Sequence, residues 1–143
     1  MSPSLYERLG GKDAITAVVD EFVARCARDA RINGKFARTD IARLKASLID
    51  QVCEATGGPC TYTGRDMHTT HEGMSVTGGE FDALVADLVA TLNHFNVPDA
   101  EKNELLGALA PMRSDIVEVE SATTGTPLPE SYRNAPPLAG AAR

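Results

Sequence analysis

The chain is poor in the features that mark most function classes. No stretch of its 143 residues approaches the ~20 apolar residues needed to span a bilayer. The start Met1-Ser2-Pro3-Ser4-Leu5 lacks the basic region and apolar run of a leader, so a cytoplasmic protein without membrane contact is expected. The formal net charge of −6 is spread without a long run of one sign, which disfavours nucleic acid and polybasic membrane binding and favours a small-molecule partner. Cys26, Cys53 and Cys60 are an odd number without C-x-x-C spacing, so neither a zinc knuckle nor a disulfide framework is indicated. Cys26 and Cys53 fall on apolar stripes and read as small buried hydrophobes, whereas Cys60 falls in a loop where a thiol could react. Strand-like alternation, a Ser-His-Asp or Cys-His arrangement and a glycine-rich phosphate loop are all missing. The pair Gly78-Gly79 lies inside a predicted helix start without the phosphate-loop spacing.

What remains is an amphipathic helical chain with 43% hydrophobic residues, enough to bury one core. Ile15, Val18, Val19, Phe22, Val23 and Cys26 follow a helical repeat that stops before Asp29, with Asp13 in its first turn. Ile41, Leu44, Leu48 and Val52 form a second stripe, opened by Thr39 as N-cap and closed by Gly57-Gly58-Pro59. Thr77 and Glu80 form a capping box ahead of Phe81, Leu84, Val85, Leu88, Leu92 and Phe95. Pro98 opens a fourth helix carrying Leu105, Leu106, Leu109, Met112, Ile116 and Val117, which Pro111 should kink rather than end. Beyond Ser121 the composition turns Ala-, Thr-, Gly- and Pro-rich, so residues 1–120 are expected to form the domain and 121–143 a flexible tail.

The densest motif is the run from Gly57-Gly58-Pro59 through Tyr62-Thr63-Gly64 to His71-Glu72-Gly73. A histidine on a short fixed segment can serve as a metal ligand through a neutral ring nitrogen. With Leu5-Tyr6-Glu7-Arg8-Leu9-Gly10-Gly11 ahead of it in the same order, the chain resembles the truncated haemoglobins, specifically the first of their groups, over Leu5 to Glu118. The resemblance implies an all-α, globin-like, two-over-two helical sandwich and haem b, iron protoporphyrin IX, as cofactor.

It also implies site residues. His71 matches the proximal histidine that binds the haem iron, with its other ring nitrogen donating to a nearby carbonyl. Phe36 matches the phenylalanine that packs on the porphyrin, Met67 falls below the ring, Tyr62 and Thr63 fall near the haem edge, and Phe81 adds to the cofactor pocket. Lys45 or Arg43 could reach a propionate. On the gas-binding face the family usually places a tyrosine after the phenylalanine matched by Phe22, and often a glutamine at the position of Leu48. This chain has Val23 and Leu48 there. With Leu44 and Val52 the expected distal pocket is apolar, so bound oxygen should leave quickly and carbon monoxide should be favoured. Gln51 is the one polar candidate, turned toward a ligand, toward solvent or onto a neighbouring carbonyl.

The function implied is binding of O2, NO or CO. Nitric oxide dioxygenation with an external reductase and gas sensing are alternatives. From the residues alone, a non-haem metal site on His68 and His71 would lack further ligands. A haem-free helical interaction module would use Phe22, Phe36, Leu44, Leu48 and Val52 as ordinary core.

Overall fold

A computed structural model describes residues 4–36, 40–62, 71, 73–126 and 129. Local signals set most of the helix ends. Ser4 and Glu7 form a capping box, with Ser4 Oγ accepting from the Glu7 N–H at 3.2 Å, and open α1 (Leu5–Leu9). Gly10 then takes φ 111°, and a Cβ there would stand 2.9 Å from that of Ala14. Only glycine makes this turn without strain, so α2 (Gly11–Arg28) begins at once in a new direction. A 3₁₀ turn, Asn33–Phe36, follows, then α3 (Ile41–Ala55), α4 (Gly78–His94) and α5 (Asp99–Leu109). The Thr77–Glu80 capping box is formed as the sequence predicts.

Three boundaries differ from the sequence expectation. Asp40 caps α3 by accepting from the Arg43 N–H at 3.2 Å; Thr39 lies outside the described residues. Pro98 is the N-cap of α5 rather than a first-turn residue. Pro111 does more than kink the last helix. Lacking an N–H, it converts residues Ala110–Met112 to a 3₁₀ turn, and helix resumes only as α6 (Arg113–Ile116), with Val117 already extended.

The core has helix α2 at its centre, packed on both α3 and α4. Ile15, Val19 and Val23 of α2 meet Cys53 of α3. Leu88 and Leu92 of α4 meet Leu5 of α1 and Leu105 of α5. Cys26 and Ile32 meet Ala83. At about 25 cal/mol per Å² of apolar surface, these interlocking side chains are the main stabilising force.

Two long-range features escaped the sequence reading. Cys53 and Cys60 form a disulfide with Cα atoms 5.7 Å apart, which corrects the expectation of unpaired cysteines. The physical reason is the helix end: α3 stops at Ala55 and Gly57, at φ 89°, turns the chain back. Cys26 remains a free, buried thiol, as expected. The second feature is a strap. After α6 the chain runs extended beside residues 76–79: the Glu118 and Val119 N–H groups donate to Val76 O, Gly78 N–H to Val119 O and Gly79 N–H to Ser121 O. Thr77 pairs with Val119 in a short parallel bridge, and Gly125 N–H reaches Arg31 O at 2.6 Å. Beyond Thr126 only Pro129 is described.

Candidate functional site

His71 has helical backbone and is half-buried. Its carbonyl accepts from the Met74 N–H at 3.1 Å, and the intervening Gly73 takes φ 84°. Ser75 follows at φ 57°, an uncommon conformation for a residue with a Cβ. Charged side chains hold this stretch from two sides. Glu118 is bidentate, accepting from Gly73 N–H at 3.0 Å and from Ser75 N–H at 2.7 Å. Lys35, on the 3₁₀ turn and 4% exposed, donates from Nζ to Met74 O at 2.6 Å and to Ser75 O at 3.4 Å.

Behind Lys35 stands Glu80, 2% exposed, with its carboxylate 3.8 Å from Nζ. Burial lowers the Lys35 pKa against the opposing pull of Glu80 and Glu118. Burial alone would raise the Glu80 pKa. Hydrogen bonds from Thr126 and Thr77, together with the charge of Lys35, outweigh it and hold the carboxyl below its usual range. The pair is nearly saturated with hydrogen bonds, the condition under which a buried ion pair is tolerated.

The buried side of α3 is apolar. Leu44, Leu48, Ile49 and Val52 on α3 pack against Ile15, Val19, Val23 and Cys53. Phe22 and Phe36 come together beside Leu84 and the cluster of Cys26, Ile32 and Ala83. The structure thus gathers Val23, Leu44, Leu48 and Val52 into one cluster, and Phe22 and Phe36 into another. The Gln51 amide, for which the sequence left a ligand, solvent or a neighbouring carbonyl open, donates to Met112 Sδ at 3.5 Å, a weak acceptor on the turn after α5. Lys45, expected near a propionate, has its ammonium 3.5 Å from Asp20 of α2. Arg43 is exposed, while Tyr62 and Phe81 are half-buried. Thr63, Met67 and His68 lie outside the described residues.

An apolar cavity of about 190 Å³ lies among Leu9, Ile15, Val18, Val52, Leu92 and Leu105, sharing only Val52 with the α3 residues named above. Lys35, Glu80 and Glu118 were not singled out for this site from sequence. Glu80 read only as a capping partner, and Lys35 drew no notice beside Phe36.

A helical chain built around the α2–α3 pair, with one histidine set on a short segment ahead of α4 and apolar residues gathered on α3, defines a small globin. The chain belongs to the bacterial-like globin family, which matches residues 4–118, and among its relatives are the group 1 truncated haemoglobins. It is 35% identical over 118 residues to the group 1 truncated haemoglobin of Mycolicibacterium paratuberculosis, covering 82% of this chain and 87% of that one. It is similar in structure to the truncated haemoglobin of Tetrahymena pyriformis in its Fe(III) form, at 33% identity and a TM-score of 0.77, over 80% of this chain and 98% of that one. The same TM-score, at 32% identity and the same coverage, relates it to the 2/2 haemoglobin of Synechococcus sp. in the cyanomet state with covalently attached haem.

Membership implies a haem-binding globin whose ligands are small gases. The donor chemistry of this chain fits that group. Haem iron brings four nitrogens with its porphyrin and asks the protein for one imidazole, which His71 can offer. Among the described residues no helix is long and apolar enough to cross a membrane.

Proposed function

We propose that the protein is a haem b globin whose His71 holds the iron and whose α3 wall receives a diatomic gas, O2, NO or CO. When bound, the haem supplies the iron at which such a gas coordinates. The protein's part is to present one neutral imidazole, to cover the porphyrin with Phe36, and to keep water away with Leu44, Leu48 and Val52. The observation that carries this reading is the apolar cluster itself. Val23, Leu44, Leu48 and Val52 bring no hydrogen-bond donor, and the Gln51 amide is turned to Met112.

A gas that gains negative charge on binding is stabilised by a donor in low dielectric. Here none of those wall residues offers one, which favours weak oxygen retention and supports gas binding or sensing over storage. Nitric oxide dioxygenation with an external reductase is the second reading, and it depends on long oxygen retention.

Optical spectra of the haem-loaded full chain in ferric, ferrous and carbonyl forms test the assignment. His71→Ala should lose the histidine-ligated spectrum and most haem affinity. An unchanged spectrum in that variant would remove His71 from the site.

A further inference from the structure

We propose that Lys35 and Glu118 are positioning residues for His71: by gripping residues 73–75 from two sides, they set the angle and strength with which the imidazole would meet the iron. The inference rests on the haem assignment above. It starts from the backbone, where Gly73 at φ 84° and Ser75 at φ 57° bend the chain sharply just after the histidine. A positive φ at serine is strained by its Cβ and persists only where the surroundings over-determine it.

Four hydrogen bonds from charged side chains supply that constraint. Glu118 takes the Gly73 and Ser75 N–H groups, while Lys35 takes the Met74 and Ser75 carbonyls. Bonds to ionised groups are roughly twice as strong as neutral ones. One further bond, from Met74 N–H to His71 O, passes the constraint to the histidine's own backbone.

The two clamps come from different parts of the fold. Lys35 directly precedes Phe36, so its bond to Met74 also joins the 3₁₀ turn, and the aromatic expected against the porphyrin, to the segment carrying His71. Glu118 lies at the start of the strap, whose later residues reach Glu80 through the Thr126 N–H and hydroxyl, each at 2.7 Å. Glu80 in turn braces Lys35. The strap and the 3₁₀ turn therefore close one ionic frame, Glu118, Lys35 and Glu80, around the backbone beyond His71. A frame that only held the fold together would show itself in stability. A frame that aims the imidazole must also show itself at the iron.

The test uses the full chain loaded with haem and compares Lys35→Met, Lys35→Arg, Glu118→Ala and Glu118→Gln. The readouts are the iron–histidine stretching band of the ferrous, gas-free protein, the rate of haem transfer to an apoglobin acceptor, and the unfolding midpoint. Lys35→Met and Glu118→Ala should shift or broaden the band and raise haem loss about tenfold or more. Lys35→Arg, which keeps charge and donors, should recover most of the original behaviour. Glu120→Ala serves as the control, because Glu120 lies on the same strap but pairs with Arg113 at 3.1 Å; it should leave the band in place.

Should Lys35→Met fail to fold, Glu118→Gln, which keeps the side chain's shape and one acceptor, still reports on the frame. A band unchanged in position and width in the Glu118 variants, with only the midpoint lowered, would overturn the inference and leave the haem assignment standing. Retention of the histidine-ligated band in His71→Ala would overturn both.

Discussion

The sulfur of Cys53, fully buried at the end of α3, is bonded to that of Cys60, so the α3 helix is fastened to the segment that leads toward His71. Gly58 sits inside this loop against Tyr6. A Cβ there would stand 2.4 Å from the Tyr6 ring and 2.7 Å from Cys53 Sγ, so the loop closes over the aromatic only because residue 58 has no side chain. A cross-link spanning 7 residues removes about 2–3 kcal/mol of unfolded-chain entropy in the loop-closure model. Cys60→Ser should therefore lower stability by up to that amount, and a dithiol reductant should do the same to the native sequence. Thiol counting checks the pairing independently. The native protein should show no fast-reacting thiol, since burial first, and then Asp87 and Asp29, push the Cys26 thiol up to about 12. Unfolding without reductant should release one thiol, whereas release of three would refute the bond.

The glycines at the start of α4 yield a prediction whose sign opposes helix propensity. An alanine in the first helical turn is ordinarily better than glycine by up to about 1 kcal/mol. At Gly79 the added Cβ would lie 2.4 Å from Ala122 O and 2.9 Å from Thr123 O, backbone atoms of the strap that cannot swing aside. Gly79→Ala should cost about 1–3 kcal/mol. The clash at Gly78 is with the end of the flexible Arg113 side chain, at 2.6 Å, so Gly78→Ala should cost less. Ending the chain after Glu120 should reverse the sign of Gly79→Ala. Thermal melts of the two variants in both backgrounds decide it, and a penalty that survives truncation would sink the explanation.

These positions also show where the sequence was readable. The Thr77 capping box, the glycine pair at Gly10-Gly11 and the stripes of α2, α3 and α4 were legible because each depends on neighbours within a turn or two, whereas the Ser4 capping box, equally local, went unread. Family order is what nominated His71 and the apolar α3 stripe as candidate site residues. The strap and the Lys35 frame were not legible, because each depends on which distant groups meet, and the disulfide was not, because it depends on how the chain turns back after α3. Lys35 and Met74 are 39 residues apart, and Thr126 and Glu80 are 46 apart. No periodicity carries such information. The Pro- and Gly-rich composition after Ser121 hid the strap further, since residues 121–126 are held to the domain by hydrogen bonds to the start of α4 and to Arg31, which no local pattern announces.

Asp29 and Asp87 face each other across the 3₁₀ side of α2, with Arg31 between them and Arg25 nearby. Asp29 is held down to about 2, chiefly by its hydrogen bond from Arg31. Asp87, whose Oδ2 is buried with no hydrogen-bond partner among the described residues, is pushed up to about 6, first by burial and then by Asp29. A carboxyl raised in the folded state stabilises below its ordinary value of 3.8 and loses that contribution as pH climbs through about 6. The lowered Asp29 acts in the opposite sense and loses its contribution only as pH falls from 3.8 through about 2. Wild-type stability should thus decline between about pH 4 and about pH 6 at this pair. Asp87→Asn should gain about 1 kcal/mol at pH 7, discounted for solvent screening, and nothing at pH 4. Denaturant midpoints at the two pH values check it; an equal gain at both would show that the titration of Asp87 is not the cause.

Leu48 is the position at which the wall can be rewritten with least disturbance, because it is half-buried and packs at the edge of the α2–α3 cluster. Placing an amide there gives a bound gas a donor in a site that otherwise repels polar groups. A net hydrogen bond of about 1–1.5 kcal/mol corresponds to roughly tenfold in residence time. Leu48→Gln should therefore slow oxygen release about tenfold in stopped-flow mixing and change carbon monoxide release much less, since that ligand carries little charge. Gln51→Leu is the companion variant. With its amide engaged by Met112 at 3.5 Å, its removal should leave oxygen release where it was. If Gln51→Leu speeds release while Leu48→Gln does nothing, then Gln51 leaves Met112 for the ligand. The pocket would then be polar when occupied, and oxygen storage would displace sensing as the favoured function.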